Sequence, residues 1–263
     1  MLEAKHIRYD IDGVCILKDV SLCVEKGTVV TIVGPNGCGK STLLKIMSRV
    51  LRPQSGEVFL NGRNIRAINT RELARRMAIL PQNKSVAVDL TVEQLVQYGR
   101  YPHAKLGGKL SKKDLEEVDE AIRAAGITTL RHRTIGTLSG GESQMAWIAM
   151  CLAQTPEIIL LDEPTTYLDI CYQLEVLELV RKLNQEYAMT FVMVLHDINQ
   201  AAQYSDVVYM MKNGEIYNSG TPKEIFLPQA FTDVFRVEMR TLNDEKALYY
   251  VPQRVDVCRE ESV

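Results

Sequence analysis

Nine consecutive residues near the start of the chain have types and spacing that directly suggest chemistry. They match the pattern G-x-x-x-x-G-K-[ST], in which glycines let backbone N–H groups close around a phosphate. The lysine of such a loop reaches the β- and γ-phosphates of a nucleotide, and the hydroxyl that follows can ligate Mg²⁺. We therefore predict a phosphate-binding loop, with a plain glycine-rich turn as the alternative. Its residues are Gly34, Pro35, Asn36, Gly37, Cys38, Gly39, Lys40, Ser41 and Thr42.

Two acidic residues follow a second apolar segment. Asp162 and Glu163 come directly after Ile158–Leu161, which is the Walker B pattern of an apolar strand ending in Asp and Glu. Asp162 would hold Mg²⁺ directly or through water, and Glu163 would act as the general base that polarises the attacking water. The same dipeptide is common as the cap and first-turn acid of a helix. The phosphate loop in the same chain favours the catalytic interpretation.

A histidine follows a third apolar segment. His196 and Asp197 come directly after Phe191–Leu195. An isolated histidine is more often structural, but at the end of a strand His196 could hydrogen-bond a γ-phosphate or Glu163.

A second glycine-rich segment precedes a helical run. Leu138-Ser139-Gly140-Gly141-Glu142 stands just before residues 144–153, which have a helical pattern. Such a segment at a helix start is suited to bind phosphate, although Ser139 could simply cap the helix. Because one nucleotide would already fill the first loop, we expect two chains to pair head to tail. Each chain's Ser139–Gly141 would then cap the nucleotide held by its partner.

Three short apolar runs must position these groups. Val29–Val33, Ile158–Leu161 and Phe191–Leu195 are continuous apolar segments, which is typical of parallel strands buried on both faces. Each is followed at once by reactive side chains. Because ligands bind at the carboxyl ends of strands in open α/β sheets, the three sets should converge on one site.

Length and composition narrow the class of protein. The chain has 263 residues, enough for one large α/β domain or two lobes, and 46% hydrophobic residues are ordinary for a globular protein. The net charge of −2 shows no basic surplus, which argues against a nucleic-acid partner. The local cluster of Arg71, Arg75 and Arg76 is most simply a solvated helix face.

Cysteine spacing and hydropathy indicate in which cellular compartment the chain is expected. The six cysteines include no C-x-x-C pair, so zinc-site spacing is absent and a reducing cytosol suits the chain. The N-terminus lacks the apolar core of a signal peptide, and no apolar run approaches the ~18 residues that span a bilayer. We therefore expect a chain that can bind a membrane partner without crossing the membrane itself.

The order of these motifs resembles that of ATP-binding-cassette (ABC) ATPases over roughly residues 1–240. Leu138–Glu142 resembles the signature motif, Gly34–Thr42 Walker A and Ile158–Glu163 Walker B. Thr166-Tyr167-Leu168-Asp169 resembles the D-loop, and His196 the switch histidine. The resemblance implies ATP and Mg²⁺ as cofactors, an ATP sandwich between two copies of the chain, and hydrolysis coupled to transport.

The resemblance also assigns roles to further residues. Tyr9 stands where the family stacks an aromatic ring on adenine, and Gln82 resembles the Q-loop glutamine. It implies contact of Gln82 with Mg²⁺, the attacking water and a membrane partner. The implied catalytic residues are Lys40, Gln82, Glu163 and His196; the implied metal ligands are Ser41, Gln82 and Asp162; the implied ATP contacts are Tyr9, Gly34–Thr42, Ser139, Gly140, Gly141 and Glu142.

The implied fold is a single α/β P-loop NTPase domain over residues 1–263. Residues 1–85 and 155–240 would form a RecA-like core with an antiparallel β subdomain, and residues 86–154 an inserted α-helical subdomain. Ser111 followed by early acids predicts the start of a helix in that insert, and Gly126 its end. Residues 241–263 would form a short C-terminal extension.

The sequence departs from the family pattern at a few positions. The signature helix commonly continues with Arg-Gln-Arg, whereas this chain has Ser143-Gln144-Met145. Because Ser139–Gly141 is intact, we expect activity to survive, with altered contacts near the dimer seam. The D-loop has Thr166 where many members have Ser, so a hydroxyl is retained.

Further stretches resemble one branch of the family. Leu73–Gln82, Gly99–His103 and Val194–Ala202 are similar to ATPases of iron–siderophore, haem and cobalamin importers. This implies a peripheral subunit on the cytoplasmic side of the cell membrane. It would power uptake of a ferric siderophore, or of haem or cobalamin, with two copies of an integral membrane permease and, indirectly, a substrate-binding protein.

Three other functions stay open at this stage. An exporter ATPase fits because the membrane subunits largely set the direction of transport. A soluble ABC ATPase acting on nucleic acid or ribosomes usually carries two cassettes or a long coiled coil, and neither is present here. A cassette that binds ATP without hydrolysis is disfavoured because Gln82, Glu163 and His196 are all present.

Overall fold

The computed structural model describes residues 1–82, 84, 89–104, 109–243 and 248–255. Its strands are β1 Leu2–Ile11, β2 Val14–Val24, β3 Val29–Val33, β4 Ser55–Leu60, β5 Arg63–Asn64, β6 Met77–Leu80, β7 Ile158–Asp162, β8 Thr190–Val194, β9 Val207–Lys212, β10 Glu215–Gly220, β11 Val237–Asn243 and β12 Leu248–Val255. Its helices are α1 Lys40–Met47, α2 Thr70–Arg76, α3 Val92–Tyr98, α4 Lys112–Ala124, α5 Gly140–Ala153, α6 Ile170–Tyr187, α7 Ile198–Tyr204, α8 Pro222–Ile225 and α9 Pro228–Phe235.

The central sheet has the strand order β10-β9-β3-β8-β7-β6. The five strands from β9 to β6 are parallel, and β10 pairs antiparallel with β9 at the edge. Every residue of β3, β7 and β8 is buried. The three apolar runs are therefore adjacent parallel strands, as the sequence predicts, and their carboxyl ends lie at one edge of the sheet.

An antiparallel sheet with the strand order β2-β1-β4-β5 covers one side of this core. Side chains of β3 alternate between two hydrophobic clusters. Val30 and Ile32 belong to the cluster that contains α1 and the antiparallel sheet, whereas Val29 and Val33 belong to the cluster that contains α3–α7. This alternation places helices and the second sheet on opposite faces of the parallel strands.

Helices α3, α4 and α5 form a helical group that lies between β6 and β7 in the sequence. Thr91 begins α3 and Ser111 begins α4, each with a reciprocal capping box. Gly126, with φ of 71°, follows the end of α4. The helix start at Ser111 and the stop at Gly126 are confirmed.

Buried polar contacts hold this helical group together and join it to the parallel sheet. The guanidinium of Arg100 bonds Asp114 at 3.0 Å from Nε to Oδ1, and its Nη1 donates to the carbonyl of Ala153 at 2.6 Å. Burial alone would raise the pKa of Asp114, but hydrogen bonds from Ser111 and Arg100 outweigh it and lower the pKa to about 2. Gln154, at the end of α5, donates to the carbonyl of Met77 at 2.7 Å.

The C-terminal part of the described chain packs back on the sheet. Strands β11 and β12 pair as an antiparallel hairpin. Residues 244–247, between the two strands in the sequence, lie outside the described residues. Tyr250 packs its ring on Phe226 and Phe231. Within the described ranges, no helix is both long and apolar enough to cross a membrane.

Candidate functional site

The predicted phosphate loop connects β3 to α1 and depends on two glycines. Gly34 has φ of 155°, and a Cβ there would lie 2.4 Å from the carbonyl oxygen of Met211. Gly39, directly before α1, has φ of 101°, and a Cβ there would lie 2.6 Å from Cδ2 of Leu17. Neither position can hold a side chain without moving its neighbours, because the loop backbone is wedged between β2 and β9.

Lys40 is the first residue of α1 and is buried. Its Nζ donates to the carbonyl oxygens of Gly34 at 2.8 Å and Pro35 at 3.0 Å. An ammonium group carries three N–H donors, so one remains for a further acceptor. The loop therefore fixes a positive charge on its own concave side.

A cleft of about 250 Å³ opens over this loop. The strand-end residue Glu163 and Ile16 of β2 contribute to its walls. Ile16 is a residue that the sequence reasoning missed, because nothing local in β2 marks it as close to a loop that begins at Gly34, 18 residues later. The lining residues are Ile16, Asn36, Gly37, Gly39, Lys40, Ser41, Thr42 and Glu163.

Ser41 and Asp162 meet across the site. Ser41 Oγ donates to Asp162 Oδ1 at 2.7 Å. The second carboxylate oxygen of Asp162, Oδ2, is buried and has no hydrogen-bond partner in the described part of the chain. Burial raises the pKa of Asp162, and the bond from Ser41 opposes that rise. A hydroxyl beside a carboxylate oxygen that lacks a partner is the donor set that Mg²⁺ prefers.

Glu163 is the hub of a second set of contacts. Gln82 Nε2 donates to its Oε2 at 2.6 Å, and His196 Nε2 lies 2.7 Å from its Oε1. Thr166 Oγ1 donates to Oε2 at 3.1 Å. The structure thus brings Gln82, Glu163 and His196 together from the ends of β6, β7 and β8. The sequence reasoning noted Thr166 only as a D-loop hydroxyl and missed this bond, which the spacing of three residues within one turn permits.

Glu163 also has an unusual backbone. Its φ is 53°, in the left-handed region that residues other than glycine seldom occupy. The backbone N–H of Thr166 donates to the Glu163 carbonyl at 3.3 Å and closes the turn. Strain of this kind costs of order 1–3 kcal/mol and concentrates at functional sites. Here it turns the Glu163 side chain back toward Gln82 and His196.

The second glycine-rich segment forms the start of α5. Ser139 Oγ accepts from the N–H of Glu142 at 3.2 Å, and Glu142 Oε2 accepts from the N–H of Ser139 at 2.8 Å. The bond from the Ser139 backbone lowers the pKa of Glu142. The capping alternative is therefore realised within this chain. Ser139 and Gly140 are nevertheless exposed, so this helix start also faces outward.

Gly141 packs against an aromatic ring of α6. A Cβ at Gly141 would lie 2.1 to 2.4 Å from three ring carbons of Tyr172, whereas a Cβ at Gly140 would meet only Cδ2 of Leu168, at 3.8 Å. Tyr172 itself is held by its N–H, which donates to Asp169 Oδ1 at 3.0 Å. The two glycines therefore have different constraints: the Tyr172 ring leaves no room for a side chain at Gly141, whereas Gly140 has room for a methyl group.

The remaining candidate residues lie around these groups. Tyr9 is half-buried in β1 opposite Leu17, and it is not among the described residues that line the cleft. Residues 139–142 are likewise absent from that lining. Of the two departures in the signature helix, Ser143 is half-buried and Met145 is buried in the hydrophobic cluster with α3–α7.

Comparison with known proteins identifies the class of this arrangement. Residues 17–166 match the family model described as ABC transporter. The chain is 43% identical over 239 residues to the petrobactin import ATP-binding protein FpuC of Bacillus anthracis, which covers 91% of this chain and 88% of that protein. It is 42% identical over 246 residues to the iron(3+)-hydroxamate import ATP-binding protein FhuC of Bacillus subtilis, covering 94% and 91%.

Solved structures give the same picture. An inward-facing conformation of a putative metal-chelate type ABC transporter superposes with a TM-score of 0.84 at 26% identity, covering 96% of this chain and 97% of that one. A dimeric bacterial ABC transporter cassette superposes with a TM-score of 0.74 at 28% identity, covering 84% and 99%. These matches confirm the predicted fold class.

Proposed function

This chain belongs to the ABC transporter family, as an ATP-binding, ATP-hydrolysing subunit, and we propose that it powers an importer of ferric siderophores. One observation carries the ATPase part: the phosphate loop, the Asp162–Glu163 pair and His196 stand at the ends of three adjacent parallel strands. The relatives named for petrobactin and iron(3+)-hydroxamate import support the substrate. Haem and cobalamin are second choices, and a relative named for cobalamin import is 36% identical.

ATP binding is assigned to the phosphate loop and its surroundings. Backbone N–H groups of Gly34–Thr42 surround the phosphates, helix α1 adds the positive end of its dipole, and Lys40 donates its remaining N–H. Tyr9 is assigned to adenine stacking. The buried charge of Lys40 acts where negative charge develops in the transferring phosphoryl group.

The residues present fit Mg²⁺. Ser41 Oγ and the buried Asp162 Oδ2, which lacks a partner among the described residues, would hold it, with Gln82 as a further oxygen ligand. When bound, Mg²⁺ neutralises charge on the β- and γ-phosphates. Mg²⁺ sites of this type use only one or two carboxylates because phosphates and water complete the shell. A site with Asp162 as its one carboxylate is therefore sufficient.

Glu163 is assigned as the general base for hydrolysis. A carboxylate has about four lone-pair sites, and three are taken by Gln82, His196 and Thr166. A fourth remains to accept a proton from water. The three contacts fix the direction of the remaining lone pair of Glu163. A general base must first be oriented correctly toward the proton that it abstracts.

A second copy of the chain is assigned the other half of the site. Ser139 and Gly140 are exposed, and residues 139–141 lie outside the cleft lining of their own chain. A head-to-tail homodimer would bring this helix start over the partner's phosphate loop, and a dimeric cassette is among the similar structures. In transport, the homodimer would sit on the cytoplasmic side of the membrane beneath two permease copies that receive cargo from a substrate-binding protein.

The proposal also includes a division of the chain. Residues 1–85 and 155–240 form the nucleotide-binding core with its β subdomain, residues 86–154 the helical subdomain, and residues 241–263 a short extension. The bonds from Arg100 to Thr155 Oγ1 and from Gln154 to the carbonyl of Met77 support treating the helical part as docked on the core.

The decisive experiment joins hydrolysis to iron uptake. Cells that lack this chain should lose uptake of ⁵⁵Fe-labelled ferric hydroxamate, and the wild-type gene should restore it. Glu163→Gln should restore neither uptake nor ATPase activity, with a loss of at least 100-fold in turnover. Near wild-type turnover in Glu163→Gln would reject Glu163 as the base. Normal iron uptake in the deletion strain, with altered haem or cobalamin uptake, would redirect the substrate.

A further inference from the structure

A second cleft, the C-terminal cleft, lies where the start of β12 meets helices α6, α7 and α8. Its volume is about 500 Å³, within the range of about 300–1,000 Å³ that is usual for small-molecule sites. Its lining shares no residue with the cleft over the phosphate loop. The ATPase mechanism therefore makes no use of it.

Tyr250, in β12, is an almost fully buried phenol in the lining of this cleft. The residue is 2% exposed, and its ring packs on Phe226 and Phe231. Its backbone bonds Asn199, but its hydroxyl has no hydrogen-bond partner in the part of the chain that the structure describes. Burial raises the pKa of Tyr250, so the hydroxyl stays protonated and can donate. Because buried polar groups normally have partners, this phenol indicates an acceptor that the described chain does not supply.

Two cationic residues line the same cleft. Nη1 of Arg181 donates to Asp206 Oδ1 at 2.9 Å, so the edge formed by its Nε and Nη2 has no partner among the described residues. Lys223 has neither an ion pair nor a hydrogen bond within the described ranges. An arginine edge with two parallel N–H groups matches the two oxygens of a carboxylate. The residues of the C-terminal cleft therefore carry several donors that are left for an acidic ligand.

Glu178 limits the charge of that ligand. Among the described lining residues it carries the carboxylate, and the Tyr204 hydroxyl donates to its Oε1 at 2.7 Å. Burial and this bond raise the pKa of Tyr204 to about 12, so the hydroxyl remains a donor to Glu178. Two lining cations and one lining carboxylate leave a single positive charge. A monoanion neutralises that charge, whereas a dianionic phosphate would leave an excess of negative charge in the cleft.

The rest of the lining suits a planar apolar body. Ala202, Pro222 and Leu248 contribute apolar side chains, and the ring of Tyr249 belongs to a residue that is 39% exposed. Aromatic rings associate in offset-stacked or edge-on arrangements, and an exposed tyrosine ring can provide one partner of such a pair. A carboxylate attached to an aromatic ring would therefore use both the donors and the apolar part of the lining.

One helix connects the C-terminal cleft to the hydrolytic site. The Asn199 side chain donates to the carbonyl of Tyr250 at 3.1 Å and accepts from its N–H at 2.8 Å. Asn199 stands in the first turn of α7, where its own N–H donates to the cap residue Asp197 at 2.7 Å. His196, which contacts Glu163, directly precedes that cap. A ligand that fixes Tyr250 would thus act on the helix that begins beside His196.

We propose that the C-terminal cleft is an effector site for a small aromatic carboxylate. Lys223 and Arg181 neutralise the carboxylate, Tyr250 donates its hydroxyl to it, and the aromatic ring lies along Tyr249. The site goes beyond the proposed function, because binding here depends neither on the cargo nor on a permease.

The first experiment measures whether charge and ring together determine binding. The probe is 2-naphthoate, titrated by ligand-detected NMR into the full chain with its nucleotide cleft filled by Mg²⁺ and a non-hydrolysable ATP analogue. We expect a Kd of about 0.1–1 mM, which is ordinary for a ligand of this size. The neutral match, 2-naphthamide, and the dianionic match, 2-naphthyl phosphate, should each bind at least fivefold more weakly. Equal affinity for the amide, tighter binding of the phosphate, or no binding of 2-naphthoate at 10 mM would overturn the proposal.

Two variants locate the bound probe. Lys223→Gln removes the cation without an ion pair, and Tyr250→Phe removes one hydroxyl while keeping the ring contacts; each should weaken 2-naphthoate binding at least fivefold. Tyr250→Phe should not lower the melting temperature, because that hydroxyl has no partner in the described chain to lose. Affinities within twofold of wild type for both variants would show that the probe binds elsewhere.

Matched controls remove the same groups outside the cleft. Lys113→Gln takes a cation from the exposed side of α4, and Tyr217→Phe takes from β10 a phenol that bonds Asp233. Both should bind 2-naphthoate within twofold of wild type. Weakening by these controls equal to that of Lys223→Gln and Tyr250→Phe would mean a general charge or stability effect, and the C-terminal cleft would lose its assignment.

The ATPase rate tests the effector role. Saturating 2-naphthoate should change the rate of the wild-type chain at least twofold, and it should leave the rate of Lys223→Gln unchanged at the same concentration. Lys223→Gln without the probe should hydrolyse ATP at the wild-type rate, since Lys223 lies outside the nucleotide cleft. Binding of 2-naphthoate to the wild-type chain without any change in rate would overturn the effector role.

Discussion

Replacing Gly141 by alanine separates packing from chemistry in the second glycine-rich segment. The added methyl would lie 2.1 to 2.4 Å from three ring carbons of Tyr172, including Cγ. Because Cγ is the fixed end of the ring, a small swing of the side chain cannot relieve the contact. Tyr172 would have to change its χ1 rotamer, and it stands in the first turn of α6, where Asp169 caps its N–H.

The expected loss of stability follows from two opposing terms. Overpacking of this kind costs about 1–3 kcal/mol. Alanine in place of glycine in a helix returns up to about 1 kcal/mol. The clash wins, so Gly141→Ala should lower the free energy of unfolding by about 1–2 kcal/mol. For a chain of this size that corresponds to a fall in melting temperature of roughly 3–6 °C.

Scanning calorimetry measures the change, and two matched variants identify its origin. Gly140→Ala, whose methyl would be 3.8 Å from Leu168, should keep the melting temperature of the wild type. In a Tyr172→Ala background, Gly141→Ala should be neutral or stabilising, which gives a coupling energy of at least about 1 kcal/mol. Gly140→Ala should still lose ATPase activity, because the methyl would occupy the exposed face assigned to the partner's nucleotide.

Two results would refute this reasoning. Equal melting temperatures for Gly140→Ala and Gly141→Ala would show that the Tyr172 ring does not limit position 141. Full ATPase activity in Gly140→Ala at unchanged stability would contradict the capping role of Ser139–Gly141.

Three further predictions concern buried charges. Arg100→Met should destabilise the chain by about 3–5 kcal/mol, because it leaves Asp114 buried without its ion-pair partner; adding Asp114→Leu should recover most of the loss in urea unfolding. Because the pKa of Asp114 is about 2, below the ordinary 3.8, its stabilising effect is present above pH 4 and is lost as the pH falls toward 2; Asp114→Asn should flatten that part of a pH–stability curve. Burial raises the pKa of Asp162 above 3.8, so ionisation destabilises the fold as the pH rises through the raised pKa; Asp162→Asn should raise the melting temperature at pH 7.5, with a gain that shrinks toward pH 4, while abolishing Mg²⁺-dependent ATPase activity.

The parallel strands could be predicted because their signal is local. Val29–Val33 and its two counterparts are continuous apolar runs, and burial on both faces leaves no other pattern. Their spatial order could not be predicted in the same way. Strand β6 lies at one edge beside β7, and β9 lies beside β3, and each of these pairings joins distant parts of the chain.

The candidate site also contains residues that local motifs predict and residues that only long-range packing brings into place. Motif spacing identified Lys40, Ser41, Asp162 and Glu163, because each is fixed within one turn of a loop or strand end. The contact of Ile16 with the phosphate loop depends on how the second sheet packs, which no local pattern encodes. The sequence allowed both a helix cap at Ser139 and anion binding by this segment, and the S-x-x-E spacing of Ser139 and Glu142 is typical of the capping box that the structure shows.

The Ser139 hydroxyl can cap helix α5 and bind an anion at the same time. The capping bond consumes a lone pair of Oγ, because the N–H of Glu142 is the donor, and it leaves the hydroxyl proton uncommitted. That proton is what an anion on the exposed side requires. Aspartate at this position would cap the helix equally well but would present a negative charge to that anion. Alanine would remove both the bond that Oγ accepts from Glu142 and the hydroxyl proton available to the anion. Ser139→Asp therefore keeps the helix cap but places a negative charge at the exposed start of the helix. Ser139→Thr keeps both the cap bond and the hydroxyl proton.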